Sequence, residues 1–116
     1  MTDRPRVLVV GAGAAGMMAA IAAAQTLQAA GEPDGGMLLL ERGDRPCRKL
    51  RITGKGRCNV TNDCDREEFL RHVLTNPRFL YSALSGFDTQ DTRTFFEGCG
   101  VALKVERGRR VFPVSD

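Results

Sequence analysis

The stretch that decides the fold is Arg6–Gly16, RVLVVGAGAAG. Arg6 to Val10 is β-branched and aliphatic with no alternation, the pattern of a short strand buried on both faces. Gly11 to Gly16 follows as G-x-G-x-x-G. From Ala14 to about Ala30 an alanine-rich run with Met17, Met18, Ile21 and Leu27 has high helix propensity, and Gly31 is placed to stop it. A Gly/Pro/Asp loop, Gly31–Gly36, leads to Met37–Glu41 (MLLLE), a second apolar strand. Strand, helix and strand in this span form one βαβ unit. Such a unit requires a right-handed crossover and parallel pairing.

The glycines of this unit have separate tasks in a dinucleotide site. Gly11 permits the tight turn, Gly13 lets a pyrophosphate approach the backbone, and Gly16 lets the helix lie close on the sheet. The helix N-terminus at Ala14 and Ala15 offers free N–H groups and partial positive charge to phosphate. Glu41 ends the second strand 25 positions after Gly16, where a carboxylate can accept hydrogen bonds from ribose hydroxyls. The Gly31–Gly36 loop accounts for the few positions beyond the usual spacing. An Ala-rich buried helix before a strand that happens to end in Glu would give the same letters without a ligand.

The net charge of +3 over 116 residues is too small to imply nucleic acid by itself. Its distribution says more. Arg42–Arg57 holds seven Lys/Arg (Arg42, Arg45, Arg48, Lys49, Arg51, Lys55, Arg57) and one acid, Asp44, so this window carries +6 and the rest of the chain −3. A local basic segment suits phosphate. No aromatic residue interrupts it, which disfavours a single-strand nucleic-acid platform.

Cys47, Cys58, Cys64 and Cys99 form no C-x-x-C pair, and His72, the single histidine, has no ligand partner at metal spacing. No metal site is expected, and reduced thiols in a cytoplasm are the better reading. Val7–Ala24 lacks charge and follows Arg4 and Arg6, which imitates an export signal. Gly11, Gly13 and Gly16 oppose that reading, because they stand where such a helix would carry Leu.

Beyond Glu41, residues 43–62 show no period and are expected to form a functional loop with a short helix near Arg48–Leu50. Within it, TGKGRCNVTN (Thr53–Asn62) places Gly54 and Gly56 one residue apart, a spacing that turns amides to one side. Arg57 suits a phosphate or an electron-rich ring, and Asn59 can donate and accept at once. A solvated basic loop is the alternative. Cys58 beside Arg57 could be a partly ionised thiol or a small packed side chain. Asp65 with Glu68 predicts a helix to about Leu74, Asn76-Pro77 a second to about Leu84, and Asp88 a third that Gly98 and Gly100 end. Val101–Glu106 and Arg110–Val114 predict a hairpin around Gly108. Phe95-Phe96 and Phe112-Pro113 read as packing residues, and His72 as a surface or helix-end residue rather than a base.

These elements in this order resemble the N-terminal part of the BaiN/YhiN-like flavoproteins, also called the aminoacetone-oxidase family. The resemblance rests on GAGAAG, the Glu41 strand end, Arg48-Lys49-Leu50, TGKGRCNVTN and RVFPVSD (Arg110–Asp116). It implies an α/β fold: a Rossmann-like, glutathione-reductase-like FAD-binding parallel sheet, here incomplete, with a helical segment and a C-terminal β-hairpin. It implies FAD-dependent oxidoreduction, with hydride transferred through the flavin to or from an unidentified small molecule and an NAD(P)H link left open. Cofactor-binding residues would be Gly11, Gly13, Gly16 and Glu41 at the ADP half, with Ala14, Ala15 and Arg42, and Lys49 with Thr53, Gly54, Gly56, Arg57, Cys58 and Asn59 of the Thr53–Asn62 loop along the cofactor toward the flavin. No catalytic acid or base is indicated. One departure is Cys47, where family members often carry Gly, which leaves the path of that turn open.

Residues 1–116 are accordingly expected to be the N-terminal part of a longer FAD/NAD(P)-binding domain, inactive alone, with the remainder of the parent chain as partner and neither nucleic acid nor membrane expected. The rival readings are an NAD-binding Rossmann protein and a non-enzymatic basic nucleic-acid-binding module.

Overall fold

A computed structural model describes residues 4–32 and 36–115. Pro33–Gly35 of the expected loop and the terminal Asp116 lie outside them. The chain forms two compact units, Met1–Ile52 and Thr53–Asp116.

The first unit is the expected βαβ. Strand β1 (Val7–Val10) and strand β2 (Met37–Leu40) pair in parallel, with Val7 opposite Met37 and Val10 opposite Leu40. Helix α1 (Ala14–Ala29) makes the crossover and stops where the sequence predicts, at a left-handed Gly31 whose N–H donates to Gln28 O. Arg6 and Glu32 pair across the ends of the unit. Burial along β1 and β2 alternates, which corrects the expectation of strands buried on both faces. Val9 lies toward α1, near Gly16. Leu8, Val10, Leu38 and Leu40 are 53%, 79%, 44% and 46% exposed. The reason is topological: a single right-handed crossover lays its helix over one face of the pair.

Helix α2 (Arg48–Gly56) is longer than the short helix expected near Arg48–Leu50, but its helical path breaks at Thr53 (ψ 152°), and Gly54 and Lys55 are left-handed. The two glycines make this reversal affordable, and Lys55 is carried through it at some strain.

The second unit carries an antiparallel sheet of order β3-β5-β4: β3 (Thr61–Asn62), β4 (Leu103–Glu106) and β5 (Arg110–Pro113). The hairpin turns at Arg107–Arg109, with Gly108 at φ 77°. Strand β3 was expected as loop. Its two residues give no period to detect, and it exists because Val111 and Arg110 of β5 pair with them. Val101, Leu103 and Val105 alternate with Ala102, Lys104 and Glu106 along the chain, but burial does not follow, since Val105 is 43% exposed while Glu106 is half-buried. The cause is a tertiary ion pair that draws Glu106 inward, to Arg57.

Three helices complete the unit. Helix α3 (Arg66–Arg71) is capped by Asp65, whose side chain accepts from Glu68 N at 2.8 Å, and ends earlier than Leu74. Pro77–Leu80 is a 3₁₀ turn leading into α4 (Tyr81–Gly86) rather than one helix. Asn76 provides no side-chain cap. It sits at φ 51°, because Pro77 disfavours the helical region for the residue before it and Asn tolerates the left-handed one. Helix α5 (Thr89–Gly98) has a complete capping box between Asp88 and Asp91. Asp63 binds Gln90 (2.9 Å) and Arg93 (2.8 Å) on α5, and these bonds hold its carboxyl below the usual range. Thr89 Oγ1 donates to the Cys64 carbonyl in the interior.

Val111 and Phe112 are fully buried and form the centre of this unit. Phe112→Ala should cost about 3–5 kcal/mol of stability, seen as a drop in the denaturant midpoint of the second unit's transition. An unchanged midpoint would show that Phe112 is not the packing centre.

Candidate functional site

The glycine turn between β1 and α1 is built on one close approach. A Cβ on Gly16 would stand 1.7 Å from Gly11 O, so no other residue fits there. Gly11 itself sits at φ 99°, and its N–H continues the strand pairing to Leu40 O at 2.7 Å. Gly13 is the N-cap of α1 and offers no capping side chain, while a Cβ there would meet nothing within 4 Å. Open space therefore lies in front of amides without side-chain partners at the start of a 16-residue helix. This is the arrangement that receives an anionic group.

Glu41 completes the turn. Its Oε1 accepts from Ala12 N at 3.0 Å and its Oε2 from Gly43 N at 2.5 Å. The Gly43 amide, then the Ala12 amide, and Arg42 more weakly, hold the carboxyl below its usual range. A carboxylate has about four lone-pair sites, so two remain for ribose hydroxyls. Gly43 was not singled out in the sequence. Its signal is the E-x-G that follows β2: a Cβ at Gly43 would lie 3.1 Å from Glu41 Oε2.

The segment after β2 is tied to the same turn by Cys47 N, which donates to Ala12 O at 2.7 Å. Cys47 sits at φ 58°, a left-handed position. The turn that glycine would make is thus kept by a cysteine at some backbone cost.

A hollow of about 540 Å³ opens over these groups, lined by Ala12, Gly13, Ala14, Glu41, Arg42, Gly43, Arg48, Lys49 and Leu50. Of the expected residues, Gly13, Ala14, Glu41, Arg42 and Lys49 come together there. Gly11 and Gly16 shape the turn through their close approach, and neither they nor Ala15 line the hollow. Arg48 and Leu50 also line the hollow, beyond the cofactor contacts expected from the sequence. Both lie in the first turn of α2, with Lys49 between them.

Thr53, Gly54, Gly56, Arg57, Cys58 and Asn59 belong to the second unit, where the structure gives them local tasks. The Arg57 guanidinium lies 4.1 Å over the Phe112 ring and binds both Glu106 oxygens at 2.9 and 3.0 Å. An electron-rich ring faces Arg57 within this unit, that of Phe112. Gly54 lies under that ring, where a Cβ would approach Phe112 Cε1 to 2.4 Å. Thr53 Oγ1 accepts from Asn59 N at 3.1 Å, and Cys58 N donates to Thr53 O at 3.0 Å. The Asn59 amide, oriented to suit its surroundings, donates to Thr61 O and Val111 O.

A second hollow of about 430 Å³ is lined by Asn62, Cys64, Glu68, Phe69, His72, Val73, Gly108 and Arg109. Burial pushes the Cys64 thiol up, so it stays protonated, and Glu68 is shared among Arg71, His72 and Arg109. His72 ends α3 with its Nδ1 against Glu68 O. All four cysteines are free thiols. Among the described residues no cluster of His, Cys, Asp or Glu could hold a metal, and no helix is long and apolar enough to cross a membrane.

A parallel βαβ with a glycine turn, an uncapped helix start and a strand-end carboxylate defines a dinucleotide-binding domain of the Rossmann type. The family described as the HI0933-like protein Rossmann domain matches residues 5–116, and the chain belongs to it. It is a family of FAD-binding domains. The chain is 34% identical over 111 residues to the 3-dehydro-bile acid delta(4,6)-reductase of Clostridium scindens, covering 96% of this chain and 25% of that protein. It is 36% identical over 100 residues to the ribosomal RNA dihydrouridine synthase of Escherichia coli, covering 86% of this chain and 23% of that one. The chain thus spans about a quarter of the length of these relatives.

Two outcomes test the site. Replacing Cys47 by Gly should raise stability by up to about 1 kcal/mol, since glycine adopts this conformation without the side-chain clash. Cys47→Val should lower it, and the thermal midpoints of the two variants give the order. The second outcome concerns pH. With its carboxyl held below the ordinary 4.5, Glu41 contributes fully above that value and loses its contribution as pH falls through the lowered folded value. Cofactor affinity should therefore show an acid limb below pH 4.5 that Glu41→Gln removes.

Proposed function

We propose that this chain forms the part of an FAD-dependent oxidoreductase that grips the ADP half of the cofactor. The observation that carries the reading is the Glu41 carboxylate fixed by the Ala12 and Gly43 amides beside an uncapped helix start. The residues fit the cofactor at each point. Gly13 leaves space for the pyrophosphate, the α1 amides meet its charge, and Glu41 keeps two lone-pair sites for the ribose. Arg42, Arg48 and Lys49 line the hollow with positive charge suited to a dianionic linker.

FAD bound here would supply hydride transfer at its flavin ring, the protein contributing binding, orientation and electrostatics. The names of the two relatives share one reaction type: a delta(4,6)-reductase and a dihydrouridine synthase each describe the addition of two hydrogens across a carbon–carbon double bond. We take reduction of such a bond as the activity of the whole protein, with NAD(P)H as the source of the hydride. The bare face of β1 and β2, with Leu8, Val10, Leu38 and Leu40 exposed, suits cover by the remainder of the parent chain.

The full-length protein should purify yellow, with flavin absorption near about 450 nm, and NAD(P)H should bleach it under anaerobic conditions. Gly13→Val should abolish retained flavin while the melting of the cofactor-free protein falls only modestly. Glu41→Ala should weaken FAD about 10- to 100-fold. A colourless protein that binds NAD instead would overturn the reading.

A further inference from the structure

The hollow of about 430 Å³ in the second unit, lined by α3 and the Arg107–Arg109 turn, has no task in the reading above. Its volume falls among small-molecule sites, roughly 300–1,000 Å³. One part of the lining is charged. Glu68 Oε1 lies 3.6 Å from Arg109 Nη2 and 3.7 Å from His72 Nδ1, both beyond a direct hydrogen bond. Acceptor and donor thus stand side by side with bonding capacity to spare. The other part is apolar: Phe69, Val73 and Cys64, whose thiol burial keeps protonated.

The backbone under the charged groups is tied down. Asn62 Nδ2 donates to Gly108 O at 2.9 Å and Asp63 N to Arg109 O at 2.7 Å, and Arg109 is left-handed at φ 58°. Asp65 Oδ1 accepts from Glu68 N at 2.8 Å. His72 Nδ1 stands 2.9 Å from the Glu68 carbonyl, which can only accept, so its proton sits on Nδ1 and Nε2 is left over.

Charge decides what fits. An anion meets the Glu68 carboxylate, and a cation meets Arg71 and Arg109. A neutral group with an N–H beside a C=O meets neither penalty, because its N–H donates to Glu68 and its oxygen accepts from Arg109. That group is a carboxamide, and a flat ring carrying it has the Phe69 ring and Val73 to lie against. Another hollow of this unit, at Asp65, Glu67 and Asp88, sets three carboxylates against Arg66 and has no aromatic lining. We infer that the hollow at Glu68 and Arg109 receives the nicotinamide ring of NADH or NADPH, its carboxamide held by those two side chains. The inference rests on the NAD(P)H-linked reading above and gives that reductant a binding site.

The test uses the full-length protein with its flavin reduced beforehand under anaerobic conditions, so that binding is read without turnover. NADH and NADPH are titrated by calorimetry beside their reduced 3-acetylpyridine analogues, in which a methyl group replaces the amide nitrogen. The wild type should bind the carboxamide form about tenfold more tightly than the acetyl form, and Glu68→Met should lose that preference. Arg109→Asn keeps the left-handed turn, since Asn tolerates it, and should weaken both forms alike, about tenfold. Val73→Trp, which fills the hollow, should abolish binding. Flavin absorbance per protein should match the wild type in Glu68→Met and Arg109→Asn. An acetylpyridine penalty that persists unchanged in Glu68→Met would overturn the proposal, as would undiminished binding to Val73→Trp or a wild type that binds neither dinucleotide. Loss of flavin from Glu68→Met would place Glu68 in the flavin site and overturn it too. If the wild-type protein holds no FAD yet the Glu68-dependent preference persists, the flavin reading falls and the nicotinamide site stands.

Discussion

The first unit depends on the absence of one carbon atom. With no Cβ at Gly16, α1 begins in contact with the Gly11 carbonyl and lies directly on β1. That contact fixes the height and direction of the helix start. It places Ala12 where its N–H meets Glu41 and its carbonyl meets Cys47 N. A larger residue would push the helix off the sheet and separate the three segments that frame the hollow. Gly13, by contrast, has open space where a Cβ would stand, and this difference is visible only in what an added Cβ would meet.

Glu41 has a structural role whatever it binds, and the proposed ribose contact would use the same group. Its two accepted bonds join the glycine turn to the segment after β2, and the charge that makes them strong is the charge a ribose would use. Preorganisation follows. The carboxylate is already aimed and ionised, so little side-chain entropy is left to lose when a ligand arrives.

In the second unit the corresponding hub is Phe112. Gly54 passes beneath its ring, Arg57 lies on it, and Glu106 on β4 fixes Arg57 in turn. A cation over a ring, tied to a carboxylate, clamps the TGKGRCN loop to the hairpin. The strongest sequence signature after the glycine turn is therefore, inside this unit, a folding device. Its left-handed run at Gly54, Lys55 and Gly56 is the backbone shape that lets Arg57 reach the ring.

Local physics made much of this legible in the amino-acid order. Unbroken aliphatic runs gave β1 and β2, alanine gave α1, and Asp65 and Asp88 marked helix starts, because propensity and capping act within a few residues. The glycine turn and Glu41 were readable because phosphate and ribose impose fixed spacings on a βαβ unit. Tertiary structure alone decided the rest. Strand β3 has two residues and exists only through its pairing with β5. Asn76 looked like a cap and became a left-handed joint under the constraint of Pro77. Val105 and Glu106 exchanged the exposures their alternation suggested, because an arginine 49 positions away takes hold of Glu106. Whether Arg57 faces a ligand or its own core, and which arginines of the basic run find a carboxylate, are questions of distance between segments remote in sequence. The residue types set what each group can bind, and the fold sets what stands near enough to be bound.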